Sequence, residues 1–294
     1  MATEAELALP PALEAVRARV DPVLETFLEG ERRELTAAAP EAALLVDELI
    51  RLVRAGGKRL RPAFCYWGYR AAGGRDDEPI VRAAAALELL HTFALIHDDV
   101  MDASPTRRGV AASHVEMGEE AGRRGWEVDE RFGTSAAVLV GDLAAVFADR
   151  LLHESGFAPE TLVKALRDYD RMRAEMGVGQ LLDLAGAARS GGPGARGVAA
   201  LKSGTYTVAG PLCIGVSLAG GSLQALNCLS RYGVPLGEAF QLRDDVVDGE
   251  APPGAADRVN ALIHRAVSAL DPHVISPEAV GVLRSLAELL LLPE

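Results

Sequence analysis

The chain has 294 residues, 49% of them hydrophobic, with a formal net charge of −12, enough apolar material for one large or two modest domains. That acidic excess would repel phosphate backbones, so a nucleic-acid surface is excluded first. No uninterrupted apolar run reaches the roughly 20 residues that span a bilayer, and Met1-Ala-Thr-Glu-Ala-Glu carries acids where a signal peptide needs bases, so the reading is a cytoplasmic protein without a membrane span.

Taken in chain order, the predicted elements are helical. Pro10-Pro11 opens the first helix, proline being favoured at its first position. Leu44, Leu45, Glu48, Leu49, Leu52 and Val53 follow the i, i+3, i+4 pattern of an amphipathic helix. From about Glu78 to Met101 the chain is Ala/Leu-rich with an acidic end, and similar segments lie near 134–153, 159–188, 197–219 and 222–248. Helices apolar nearly all round are central elements of a large bundle. Loops fall at Gly73-Gly74-Arg75-Asp76-Asp77, Ser190-Gly191-Gly192-Pro193-Gly194 and Ala251-Pro252-Pro253-Gly254. Sustained alternation and Asn-Gly turns are lacking, so strands are not expected. The expectation is an all-α protein, one helical domain over residues 1–294. Cys65, Cys213 and Cys228 are far apart among apolar neighbours and read as buried thiols in a reducing compartment.

Two clusters share the pattern Asp-Asp-x-x-Asp: Asp98-Asp99-Val100-Met101-Asp102 and Asp244-Asp245-Val246-Val247-Asp248. On a helix, positions i and i+4 stack, pairing Asp98 with Asp102 and Asp244 with Asp248. Carboxylates roughly 6 Å apart repel by about 3 kcal/mol at an effective dielectric near 20, which calls for a cation. Hard oxygen ligands with open positions suit Mg²⁺ bridging to substrate phosphates. A solvated helix end is the plain alternative for one such motif; two in apolar contexts argue against it.

Three cationic patches stand out. Gly56-Gly57-Lys58-Arg59-Leu60-Arg61-Pro62 places three cations in four residues after a glycine pair that lets backbone approach a ligand. Arg107-Arg108-Gly109 follows the first acidic cluster, and Lys202-Ser203-Gly204-Thr205-Tyr206 combines a lysine with hydroxyls. The chain has three lysines, and Lys58 and Lys202 lie in these patches. His91 stands two turns before Asp98 on the same face; by itself it reads as a core histidine.

The ordered set of these motifs, with Gly141-Asp142, Gly179-Gln180-x-x-Asp183 and Phe240-Gln241 before the second cluster, resembles the trans-isoprenyl diphosphate synthase (polyprenyl synthetase) family from about residue 40 to 250. The resemblance implies antiparallel helices around a central active-site cavity, usually in a homodimer. It implies head-to-tail condensation of isopentenyl diphosphate with an allylic diphosphate (dimethylallyl, geranyl or farnesyl). Asp98, Asp102 and Asp244 would hold about three Mg²⁺ ions, with Asp99, Asp245 and Asp248 in support. Arg107, Lys202 with Ser203, and Gln241 would hold the allylic diphosphate, and Lys58, Arg61, His91 and Arg108 the isopentenyl diphosphate. Asp98, Asp99, Asp102, Lys202, Asp244 and Asp245 are thereby the catalytic candidates. Phe93 and Ala94, just before the first motif, would set product length, most like a geranylgeranyl (C20) diphosphate synthase with farnesyl (C15) as the alternative.

The pattern breaks after Asp248. The family continues with a lysine-bearing loop over the allylic diphosphate, and this chain has no lysine after Lys202. Either that lid is missing from the protein or a loop is missing from this sequence, with Arg258 as a weak substitute. Val110-Ala111-Ala112-Ser113-His114 also replaces an expected Pro-Thr before His. Two rivals stay open. A class I terpene cyclase would carry a second metal motif of mixed Asn/Asp, Ser/Thr and Glu. A non-catalytic regulatory subunit of a heteromeric prenyl synthase would fit the absent lysine loop.

Overall fold

The computed structural model describes residues 10–186, 200–247, 249 and 251–292, and for residues 200–203 the backbone. The described chain is all-helical apart from one two-stranded hairpin, as expected. It divides into two compact units: Glu14–Pro62 with Val81–Ser155, and Met1–Leu13 with Ala63–Ile80 and Gly156–Glu294.

The first of these holds α1 (Pro11–Ala38) from Glu14 onward, a 3₁₀ turn (Pro40–Ala42), α2 (Ala43–Arg54), most of α4 (Glu78–Met101), α5 (Ser113–Arg123) and α6 (Phe132–His153). The amphipathic stripe of α2 is buried as Leu44, Leu49, Leu52 and Val53. Glu48 goes under with it, because Arg51 Nε donates to it at 2.6 Å and Ser113 Oγ at 2.6 Å. Arg51 also reaches the Ala111 carbonyl at 2.8 Å, which anchors a hairpin of β1 (Thr106–Arg107) and β2 (Val110–Ala111). Arg107 pairs with Val110, and the turn residues Arg108 and Gly109 have φ of 52° and 76°, the double positive φ of a type I′ turn. By length and composition α4 could cross a bilayer, yet 67% of its most apolar window is buried inside the protein. The interruptions at Glu88 and His91 are too few to lower its average.

The other unit is built from α3 (Leu60–Ala71) from Ala63 onward, α7 (Pro159–Leu184), a π-helical stretch (Ala200–Ala209), α8 (Gly210–Leu218), α9 (Leu223–Val247), α10 (Ala255–Ser268) and α11 (Pro277–Glu288). Its helices touch backbone to backbone. A Cβ on Gly215 would stand 2.1 Å from the Cys65 carbonyl oxygen, and one on Gly237 would stand 2.3 Å from the Gly204 Cα. Where one uninterrupted helix is expected near 197–219, the π stretch precedes α8, so the departure from the α period falls on the Lys202–Tyr206 patch. The three cysteines are free and buried, and burial pushes the Cys65 and Cys213 thiols up to about 12.

Candidate functional site

The first acidic cluster sits where α4 stops. Ala103 adopts φ 52° and the Ser104 N–H returns to the Asp99 carbonyl at 3.0 Å, a left-handed cap of the Schellman type. The carboxylates therefore crowd the negative end of the helix dipole, and the last turn holds no basic residue of its own. Relief comes from the hairpin. Arg107 Nε donates to Asp99 Oδ1 at 2.8 Å, and its NH2 stands 3.7 Å from Asp98. Asp99 is the buried member, its side chain 3% exposed against 24% for Asp98, and Asp102 is exposed. Asp99 thus orients Arg107, which also lies within ion-pair range of the partly exposed Asp98. The hydrogen bond to Asp99 raises the Arg107 pKa against the opposing cost of burial.

The second cluster ends α9, again without a basic residue in the last turn. Gln241 Nε2 donates to Asp245 Oδ1 at 2.9 Å, so one of the two adjacent aspartates is again engaged by a neighbour. Asp244 is partly exposed. Asp248 lies outside the described residues, as do the side chains of Lys202 and Ser203. Arg258, the candidate substitute for the lysine loop, is bound to Glu238 of α9.

No group of three or more His, Cys, Asp or Glu side chains forms a ready-made metal cage among the described residues. Mg²⁺ keeps several waters and takes one or two carboxylates plus substrate phosphates. Asp98 and Asp102, one turn apart on a helix end of negative potential, are carboxylates that could serve such an ion.

The isopentenyl candidates come together in part. His91 lies among cations: burial, then Arg61, Arg108, Arg107 and Arg59, hold its pKa well below the usual 6.5. Arg61 is partly buried and Lys58 exposed. Glu88, absent from the sequence reading, is 2% exposed and binds both Arg59 and Arg108. Its signal was its place one turn before His91 on a helix otherwise apolar. Phe93 packs edge-on against His97, with centroids 4.7 Å apart. His97 in turn fills the space a side chain at Gly141 would need, 2.3 Å from that Cβ position. A pocket of about 270 Å³ beside the Gly56 loop is lined by Arg17, Asp21, Arg54 and Arg59 among others. Arg54 and Arg59 are already paired there with Glu25 and Asp21, so it offers no anion site.

The end of α4 thus sets adjacent carboxylates beside an arginine that one of them holds. The family follows from the comparison: the polyprenyl synthetase model matches residues 43–260, and the chain belongs to that family. Geranylgeranyl diphosphate synthase of Methanosarcina mazei is 34% identical over 202 residues, 68% of this chain and 57% of its own. A short chain isoprenyl diphosphate synthase of Methanothermobacter thermautotrophicus is 32% identical over 221 residues, 75% of this chain and 62% of its own. The chain thus spans 57% and 62% of the length of these two relatives. Among solved structures, geranylgeranyl pyrophosphate synthase from Corynebacterium glutamicum, complexed with isoprenyl diphosphate and magnesium, superposes with a TM-score of 0.82 at 30% identity, covering 96% of this chain and 98% of that one.

Proposed function

We propose that the protein joins isopentenyl diphosphate head-to-tail to an allylic diphosphate, making a short trans-prenyl diphosphate of C20 with C15 as the alternative. The observation that carries this reading is the arrangement at the end of α4, where buried Asp99 holds Arg107 beside Asp98 while Asp98 is partly exposed and Asp102 exposed. Asp98, Asp102 and Asp244 hold about three Mg²⁺ ions, with Asp99, Asp245 and Asp248 in support. The ions supply charge neutralisation for the diphosphate when bound.

Arg107, Lys202, Ser203 and Gln241 hold the allylic diphosphate. Their positive and polar groups stabilise the charge that grows on the departing diphosphate as the allylic C–O bond breaks. Lys58, Arg61, His91 and Arg108 hold isopentenyl diphosphate so that its double bond attacks the resulting cation, and a proton then leaves to the released diphosphate. A neutral His91 suits this, since it adds no further charge among the arginines. Phe93 and Ala94 limit the product length. The protein acts as a homodimer in the cytoplasm, where its three free buried thiols are at home. The names of the relatives favour this over a cyclase.

The test is turnover by purified protein with Mg²⁺, isopentenyl diphosphate and each of the dimethylallyl, geranyl and farnesyl primers. Formation of a C20 product supports the reading. Diphosphate release without isopentenyl diphosphate would mark a cyclase, and no turnover of any primer a regulatory subunit.

A further inference from the structure

Two arginines hold a backbone conformation that favours glycine, and a single carboxylate oxygen binds both. Arg59, after the Gly56-Gly57 pair, has φ 51°, and Arg108, in the hairpin turn, has φ 52°. An L side chain in the left-handed region persists only where its surroundings over-determine it. Glu88 Oε1 accepts from Arg59 NH1 at 2.8 Å and from Arg108 NH2 at 3.2 Å. At 2% exposure a carboxylate needs such partners, because its charge is out of water. The loop and the hairpin also meet directly: a Cβ on Gly57 would stand 2.9 Å from Arg108 NH2.

The two arginines divide their donors differently. Arg59 engages all three of its guanidinium nitrogens with the protein, Nε on Asp21 at 2.7 Å, NH1 on Glu88 and NH2 on the Val53 carbonyl at 2.8 Å. Burial works against its charge, and Glu88 and Asp21 more than offset that. Arg59 is thus a structural rivet joining the loop to α1, α2 and α4. Arg108 has one hydrogen bond, to Glu88, among the described residues. Its side chain is 19% exposed, and a guanidinium has five N–H donors. Most of its fork is therefore available to a ligand, held in place by the one donor that Glu88 engages.

We infer that Glu88 is a positioning residue for the isopentenyl diphosphate subsite, clasping the Gly56–Arg61 loop and the Arg108 turn onto α4 so that Arg61, Arg108 and His91 present their polar groups together. The inference rests on the functional reading above for its substrate, though not for the clasp. Glu88 touches no substrate; it acts through Arg108 and Arg59. Lys58 extends from the same riveted loop.

Two measurements on the full chain test it. Amide hydrogen exchange in Glu88→Gln should rise together over residues 56–61 and 107–110, with helical content and the exchange of α6 unchanged. In steady-state assays the KM for isopentenyl diphosphate should rise about tenfold, the loss expected for one charge-assisted bond, while the allylic KM stays within about twofold. In an Arg108→Ala background, Glu88→Gln should raise that KM by less than it does alone, the remainder acting through Arg59. Unchanged exchange in both segments overturns the clasp. Equal rises in both KM values, or a full additional effect in the Arg108→Ala background, overturn the positioning role. If Glu88→Gln does not fold, Glu88→Asp, which keeps the charge and shortens the reach, carries the same test. A wild type that turns over no primer overturns the functional reading, and the exchange data then decide the clasp alone.

Discussion

Replacing His91 with Gln should remove an acid-sensitive part of the protein's stability. Burial first, then Arg61, Arg108, Arg107 and Arg59, hold the His91 pKa well below 6.5 in the folded protein. The folded state therefore keeps a neutral imidazole where the unfolded chain, with its ordinary pKa, takes up a proton. The unfolded state binds more protons below about pH 6.5, so stability falls as pH falls through that value. At pH 7.5 the term is negligible, about 0.1 kcal/mol; at pH 5.5 an unfolded pKa near 6.5 sets its upper bound at about 1.4 kcal/mol. Gln keeps a polar side chain of similar reach and cannot titrate. Urea unfolding of metal-free wild type and His91→Gln at both pH values isolates the term, because carboxylates common to both proteins cancel in the difference. Wild type should lose more than the variant on acidification, by up to about 1.3 kcal/mol. An equal loss in both would refute the argument, since His91 would then titrate alike in the folded and unfolded states.

The remaining predictions concern activity and packing. Asp98→Ala should lower turnover by about a hundredfold or more with an unchanged circular dichroism spectrum, as expected for loss of charge stabilisation at the reacting centre; normal kinetics would remove Asp98 from the metal site. Phe93→Ala should lengthen the product in a chain-length assay, and an unchanged product would take Phe93 out of the role of cavity floor. Gly215→Ala forces a Cβ to within 2.1 Å of the Cys65 carbonyl oxygen, so it should cost about 2 kcal/mol and several degrees in Tm. Gly281→Ala, in α11 with nothing within 4 Å of the new Cβ, should instead stabilise by about 0.5–1 kcal/mol.

The helical architecture was legible because apolar periodicity and burial coincide: α2, α4, α6 and α9 all fall on segments read from pattern alone. The common face of Asp98 and Asp102 was legible for the same reason, since i and i+4 spacing on a helix fixes it. What pattern could not reveal depends on contacts distant in sequence. The hairpin carrying Arg107 escaped notice because its turn has Arg108, not Asn or Gly, at the first left-handed position, and only Glu88 explains why that is tolerated. The π stretch before α8 escaped because Ala200–Ala209 has the composition of an ordinary helix. Gly141 was read as part of a motif, yet its physical reason is the His97 ring lying where its Cβ would be. Arg258 looked available in the sequence and is engaged by Glu238.

The acids of α4 show how one helix serves two purposes without confusing them. At about 100° per residue, Glu88 and Asp99 fall within about 20° of each other. His91, Asp98 and Asp102 fall within about 40° of one another on a stripe rotated by roughly 70° from the first. The first stripe is buried, and both of its carboxylates bind hairpin arginines, Glu88 through Arg108 and Asp99 through Arg107. On the second stripe Asp98 is partly exposed and Asp102 exposed. A hairpin held at successive arginines by acids about three turns apart is fixed along the helix axis as well as against it. Removing either buried acid should therefore disturb one arginine far more than the other. On the function proposed above, that separation lets the proposed isopentenyl diphosphate subsite at Arg108 and the proposed metal-bound diphosphate subsite at Arg107 be set by adjacent residues. Local sequence places the two arginines side by side, and the twist of α4 assigns them different partners.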